Sequence, residues 1–170
     1  MSADHFATFG LPRAFAVDAS ELETRFRELS RNVHPDRFAR APPRERRLAL
    51  AAATALNDAY RTLRHPRRRA EHLLALRGVE VGARGGAPVE PEFLEAQLEL
   101  RERLAAARAQ GDREAVARVA ADARAALARI DREIAFLLAA ETSDEALRPC
   151  ADALARARFY EGLAAAAEVA

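Results

Sequence analysis

This 170-residue chain is predicted to be all-α, with a helical-hairpin domain at the N-terminus joined to a three-helix bundle at the C-terminus. Three observations carry that prediction. About a quarter of the residues are Ala, the best helix former. Apolar residues recur at alternating spacings of three and four, the signature of one helix face. Residues 78–91 hold four of the seven glycines and two of the eight prolines, and no helical pattern survives there. The expected organisation is a first domain over 1–77, a linker over 78–91 and a second domain over 92–170. Each half has roughly eighty residues, a size at which a single core is marginal and must pack efficiently.

A short opening turn around Phe6 to Phe9 is expected to lay its aromatics on the helices that follow. Leu22, Phe26, Leu29 and Val33 then make one helix face. Ser20 with Glu23 three residues on reads as its capping box, each side chain satisfying an orphan backbone donor. Pro35 has no N–H and biases His34 away from the α region, so this helix should end near Val33. A loop follows to Pro42 and Pro43. Pro43 suits the first position of a second helix, with Leu48, Ala52, Leu56, Ala59 and Leu63 facing inward and a stop before Pro66. A third run, with Ala70, Leu73, Leu74 and Leu76, ends at Gly78, a suitable C-terminal cap.

Beyond the linker, Phe93, Ala96, Leu100, Leu104 and Ala107 form one stripe, broken by Gly111-Asp112. Val116, Val119, Ala123, Leu127, Ile130, Ile134 and Leu137 follow a near coiled-coil pattern. Ser143-Asp144 is expected to open the last helix, with Leu147, Leu154, Ala157, Ala164 and Ala167 inward. Pro149 would delete a hydrogen bond there, so that helix is either kinked or begins later. Short connections imply antiparallel neighbours.

Composition excludes several classes of function. Lys+Arg 27 against Asp+Glu 26 leaves a net charge of +1, too even for a strongly basic nucleic-acid binder, and every one of those cations is Arg. Cys150 stands alone, so neither a disulfide framework nor a Cys-rich zinc site is expected. His5, His34, His65 and His72 lack metal-ligand spacing, and no metal or cofactor is expected. No stretch approaches eighteen apolar residues, and the N-terminus does not read as a secretory signal, so a cytoplasmic protein is expected, with no membrane partner. Arg64-His65-Pro66-Arg67-Arg68-Arg69 is basic but has no interleaved stacking aromatics and reads as a solvated helix start rather than a nucleic-acid patch. No phosphate loop, nucleophile elbow or paired carboxylates suggest an enzyme.

Two places invite a functional reading. His34-Pro35-Asp36 sits at the turn between two amphipathic helices, where it either binds something or merely bridges the helix ends. Arg25, Arg27 and Arg31 precede it and Arg37 and Arg40 follow, a basic surface or simply a solvated one, with Glu21, Glu23 and Glu28 diluting the field. In the second half, Leu94 and Leu98 lie four apart and about 100° off the inward stripe, with Glu95, Glu99 and Glu102 beside them. They are either an apolar patch rimmed by carboxylates, and so a docking surface, or the edge of a wide core stripe.

The tripeptide alone is weak, but with the helix before it and Asn57-Asp58-Ala59-Tyr60-Arg61-Thr62-Leu63 after it the region resembles a J-domain. Phe6-Ala7-Thr8-Phe9-Gly10-Leu11-Pro12, Thr62-Leu63-Arg64-His65-Pro66, Arg69-Ala70-Glu71, Leu73-Leu74, Phe93-Leu94, Gln97-Leu98-Glu99-Leu100-Arg101-Glu102 and Arg158-Phe159 are similar, in order, to the HscB family of co-chaperones in iron–sulfur cluster assembly. The resemblance implies that His34, Pro35 and Asp36, with Arg25, Arg27, Arg31 and Arg37, engage a HscA/DnaK-type ATPase chaperone and stimulate it. It implies that Leu94, Leu98, Glu99, Glu102 and Phe159 hold an IscU-type cluster scaffold, although Phe159 also reads as core. Two positions depart from the family pattern: Glu95 stands where an apolar residue is usual, and Ala106 where an acidic one is. Neither half shows a long unaccounted apolar stripe, so a monomer is expected. Two alternatives are a J-domain adaptor for another client and an Arg-rich nucleic-acid module.

Overall fold

The computed structural model describes residues 3–82, 91–139 and 144–168, leaving aside the side chains of Pro35 and of 144–146. Among these residues there are helices and no strand, and the chain divides into two compact units, Met1–Leu76 and Arg77–Ala170. Most of the expected linker, residues 83–90 with Gly85-Gly86, lies outside the described residues, as does Ser143.

The first unit holds α1 (His5–Phe9), α2 (Ala19–Val33), a 3-10 turn (Pro35–Phe38), α3 (Pro43–Arg64) and α4 (Pro66–Leu76). Asp4 starts α1 by accepting the Phe6 and Ala7 N–H groups at 3.0 and 3.2 Å, and Gly10 ends it in the left-handed region at φ 61°. Phe6 and Phe9 are buried as expected, in a core with Leu11, Leu22, Leu56, Ala59 and Leu63. Each such Phe or Leu removed from water contributes about 1.5–3 kcal/mol. Phe26 stacks on Tyr60 at 4.1 Å and binds α2 to α3.

Two expectations for this unit need correction. The cap of α2 is Asp18, whose carboxylate accepts the Ser20 and Glu21 N–H groups at 2.8 and 3.1 Å, and not Ser20. Both residue types make good caps, and the chain enters the helix two residues earlier than the capping-box reading assumes. Leu48 is 61% exposed and Ala52 is exposed, while Ala49 is buried in their place. α3 has 22 residues and α2 only 15, so the apolar spacing runs on past the point where α2 can cover it. Both predicted stops hold: α2 ends at Val33 and α3 at Arg64.

Three long-range contacts seal the unit. Arg25 donates from Nη1 to the carbonyls of Phe9 and Gly10, each at 2.6 Å, and so ties α2 to the end of α1. Arg69 donates to the Leu63 carbonyl at 2.7 Å and lies over the Phe15 ring, so it holds the end of α3 rather than belonging to a solvated basic start. His72, 6% exposed, stacks on the His5 ring at 4.2 Å, and its Nε2 accepts the His5 N–H at 3.1 Å.

The second unit is the expected three-helix set: α5 (Pro91–Ala109), α6 (Arg113–Ala139) and α7 (Asp144–Glu168). Gly111, at φ 66°, turns the chain after α5, and Asp112 accepts the Ala115 N–H at 2.8 Å to start α6. Leu104 and Ala107 pack on Val116, Val119, Ala120 and Ala123 of α6 and on Leu163, Ala164 and Ala167 of α7. The alanines let the helix axes approach closely. Towards the start of α5 the inward stripe is only half-buried, at Phe93, Ala96 and Leu100. α7 is helical from Asp144 and continues through Pro149, which settles the start of that helix in favour of the earlier position. Cys150 is fully buried, and burial followed by the charge of Glu133 pushes its thiol up to about 11.

Candidate functional site

The loop after α2 is built by backbone chemistry. Pro35 forces His34 into extended backbone, φ −61° and ψ 129°, which stops the helix and lets the imidazole cap the 3-10 turn. His34 Nδ1 accepts the Asp36 N–H at 3.3 Å and lies 3.5 Å from Asp36 Oδ2. With Nδ1 accepting, the neutral ring carries its proton on Nε2 and presents a donor. Arg37 reaches back to the Arg31 carbonyl at 3.2 Å and to Asn32 Oδ1 at 3.4 Å, satisfying an otherwise orphaned acceptor in the last turn of α2. The loop therefore holds itself in shape while the Asp36 side chain remains 89% exposed. A carboxylate in that position offers both oxygens to a guanidinium.

The arginines around the loop separate into two sorts. Arg27 and Arg31 lie four apart on one exposed face of α2; Arg27 is ion-paired with Glu23 one turn back, and Arg31 has no side-chain partner among the described residues. Arg25 faces the other way and is committed to the carbonyls of α1 and to Glu21 at 2.5 Å. Sequence proximity to the loop groups all three, yet two residues place Arg25 about 200° around the helix from Arg27, and spacing does not reveal which backbone carbonyls it meets. Arg37 likewise serves the loop's own geometry.

On α5 the exposure of two leucines removes the core alternative that spacing left open. Leu94 is 51% and Leu98 59% exposed, so both lie outside the core. At about 100° per residue, Leu94, Leu98, Arg101, Ala105 and Arg108 fall within about 40° of a common direction. Glu102 and Glu99 flank that face on one side and are exposed. On the other side α7 supplies Phe159, half-buried, edge-on to Phe93 at 5.9 Å and beneath the Arg101 guanidinium at 5.3 Å. Arg101 thus joins Phe159 to the Leu94–Leu98 face, a link of 58 residues that spacing cannot reveal. Phe159 both packs on the core and borders the face, so the two readings of it are compatible. Glu95 and Ala106 are exposed on the same helix.

Among the described residues no group of three or more His, Cys, Asp or Glu is placed to hold a metal ion, and no helix is long and apolar enough to cross a membrane.

Residues 89–168 match the family model described as the HSCB C-terminal oligomerisation domain. Among solved structures, the chaperone HscB from Vibrio cholerae is 34% identical, with a TM-score of 0.80 over 98% of this chain and 96% of that one. The human co-chaperone protein HscB is 25% identical, with a TM-score of 0.85 over 99% of this chain and 82% of that one. The likeness spans both units, and the chain belongs to the HscB co-chaperone family.

Proposed function

We propose that this chain acts in iron–sulfur protein maturation by bringing an IscU-type cluster scaffold to a HscA/DnaK-type ATPase chaperone and stimulating that chaperone's ATP hydrolysis. Residues 1–77 are the J-domain, 78–91 the linker and 92–170 the scaffold-binding domain. The observation that carries the reading is the exposed Asp36 carboxylate, held at the tip of a self-braced loop in a chain that is similar to HscB along nearly its whole length.

The work is done by contact and needs no bond-making in this protein. Asp36 pairs with a guanidinium of the chaperone, His34 shapes the loop and donates from Nε2, Pro35 sets the turn, and Arg27 and Arg31 steer the encounter with an acidic face, an attraction that salt weakens. Arg25 and Arg37 support this surface by bracing it. Stimulation requires tighter binding to the chaperone state that hydrolyses ATP, since equal affinity for two states shifts nothing. Leu94, Leu98, Glu99, Glu102 and Phe159 hold the scaffold, and tethering it raises its effective concentration at the chaperone's client site. The protein is read as a cytoplasmic monomer. The matching family's description speaks of oligomerisation, and light scattering at micromolar concentration distinguishes the two states.

The test is single-turnover ATP hydrolysis by a HscA- or DnaK-type chaperone, with this protein and its His34→Gln variant, each with and without scaffold. Stimulation that needs His34 and rises with scaffold is the expected result. Stimulation indifferent to scaffold leaves a J-protein for another client, and no stimulation of either chaperone overturns the reading.

A further inference from the structure

Past Leu98 the outer face of α5 does not end; it becomes the wall of a groove of about 410 Å³ between α5 and α7. Arg101, Ala105 and Arg108 line it from α5, and Phe159, Gly162 and Ala166 from α7. The floor is apolar and the rim is basic, opposite in sign to the Glu99 and Glu102 edge of the Leu94–Leu98 face. Arg101 has an aromatic ring under it and no carboxylate partner among the described residues. Arg108 is bonded through one nitrogen to the Ala166 carbonyl and has no carboxylate partner among the described residues.

Gly162 lines the α7 side of that space. It lies inside the 25-residue α7, where Gly costs roughly 1 kcal/mol against Ala, in a chain otherwise rich in Ala. A Cβ at that position would meet nothing within 4 Å, so packing does not require glycine there. Its effect is to leave the groove open.

We propose that this groove extends the docking face and takes a carboxylate carried on an apolar segment of the docked protein. The occupant follows from the lining: an aliphatic or aromatic group fits over Ala105, Gly162 and Ala166, and an acidic group meets Arg101 and Arg108. Because Glu99 and Glu102 border the opposite side of the α5 face from the groove, the surface is bipolar across the helix, and it orients the partner with a basic group towards Glu99 and Glu102 and an acidic group towards Arg101 and Arg108. The proposal rests on the scaffold-docking reading above and assigns that partner's polarity.

The test is calorimetric titration of the full chain with an IscU-type scaffold protein at two salt concentrations, for wild type and for Leu98→Ala, Arg101→Glu, Arg108→Glu, Gly162→Leu and Arg129→Glu. Gly162→Leu fills the groove with a better helix former, so its helical circular dichroism and melting temperature should hold or rise. The expected result is an affinity loss of about tenfold or more for Gly162→Leu and for both groove charge reversals, with a shallower salt dependence for the reversals. Arg129, exposed on α6 outside the groove, should be within about twofold of wild type and controls for overall charge. If Leu98→Ala weakens binding but Gly162→Leu and the two reversals leave it unchanged, the face docks the scaffold and the groove proposal is overturned. If wild type does not bind, or Leu98→Ala changes nothing, the docking reading fails and takes the groove with it.

Discussion

The N-terminal unit concentrates its candidate contact groups in a three-residue loop, whereas the C-terminal unit spreads them along a helix face and into a groove. The loop is shaped by His34 Nδ1 accepting the Asp36 N–H and by Arg37 donating to the Arg31 carbonyl, while the Asp36 carboxylate, the group expected to make the contact, stands exposed. On the C-terminal side, Leu94 and Leu98 are exposed but Phe159 belongs at once to the face and to the core. Under the proposed roles, function and stability are separable in the first unit and only partly so in the second.

The largest effect should come from the loop. Asp36→Asn keeps shape and size and removes the charge, so ATPase stimulation is expected to drop by about tenfold or more, because a charge-assisted pair at an interface is worth several kcal/mol. The melting temperature should not move. A variant that loses both would show that Asp36 holds the loop together rather than contacting the chaperone.

Phe159 and Leu98 test the other half of the contrast. Phe159→Ala should weaken scaffold binding and also cost about 1–3 kcal/mol of stability, since a half-buried ring loses part of its packing. Leu98→Ala should weaken binding at a stability cost below about 0.5 kcal/mol. Denaturant titration beside binding measurements separates the two. Equal stability losses would return Leu98 to the core.

Within α2 the same contrast recurs at smaller scale. Arg25→Ala removes two bonds from a charged donor to backbone carbonyls and should cost about 1–2 kcal/mol. Arg27→Ala removes one exposed i,i+4 pair and should stay within about 0.5 kcal/mol, yet slow association with the chaperone at low salt. If the two variants behave alike in both assays, the division between bracing and steering arginines is wrong.

These arginines also show what in the chain was legible beforehand. Helix ends at Val33 and Arg64 were readable because proline acts on its own neighbours, and the core stripes of α6 were readable because a buried face imposes its period locally. Leu48 was misread because periodicity continues along a helix after the covering helix has ended. Arg25, Arg69 and Arg101 were opaque for a different reason. Their partners are the carbonyls of Phe9, Gly10 and Leu63 and the ring of Phe159, and a backbone carbonyl leaves no trace in residue identity. The groove was hidden likewise, since its lining is shared between α5 and α7, which spacing within either helix does not relate.

The smallest effect concerns the pairing of α1 with α4, 67 residues apart. His72 is buried with Nε2 accepting a backbone N–H, an arrangement that only the neutral ring can make. Burial lowers its pKa below the ordinary 6.5, His5 and Arg13 lower it further, and Asp4 opposes them; Asp58 Oδ2 stands 3.9 Å from His5 Nε2. As pH falls below about 6.5 the unfolded chain takes up this proton first, so it binds more protons than the fold and stability rises with pH across that interval. The contribution is complete above the unfolded value and is lost as pH falls through the lower, folded one. Denaturant titrations between pH 7 and 5 should show the wild type losing stability more steeply than His72→Phe, which keeps an aromatic ring beside Phe6 but cannot titrate. His72→Phe begins from a lower stability at pH 7, because the His5 N–H loses its acceptor, so the slope and not the level is the readout. Parallel slopes would mean that the buried ring is protonated in the fold, with the stack rearranged to accommodate it.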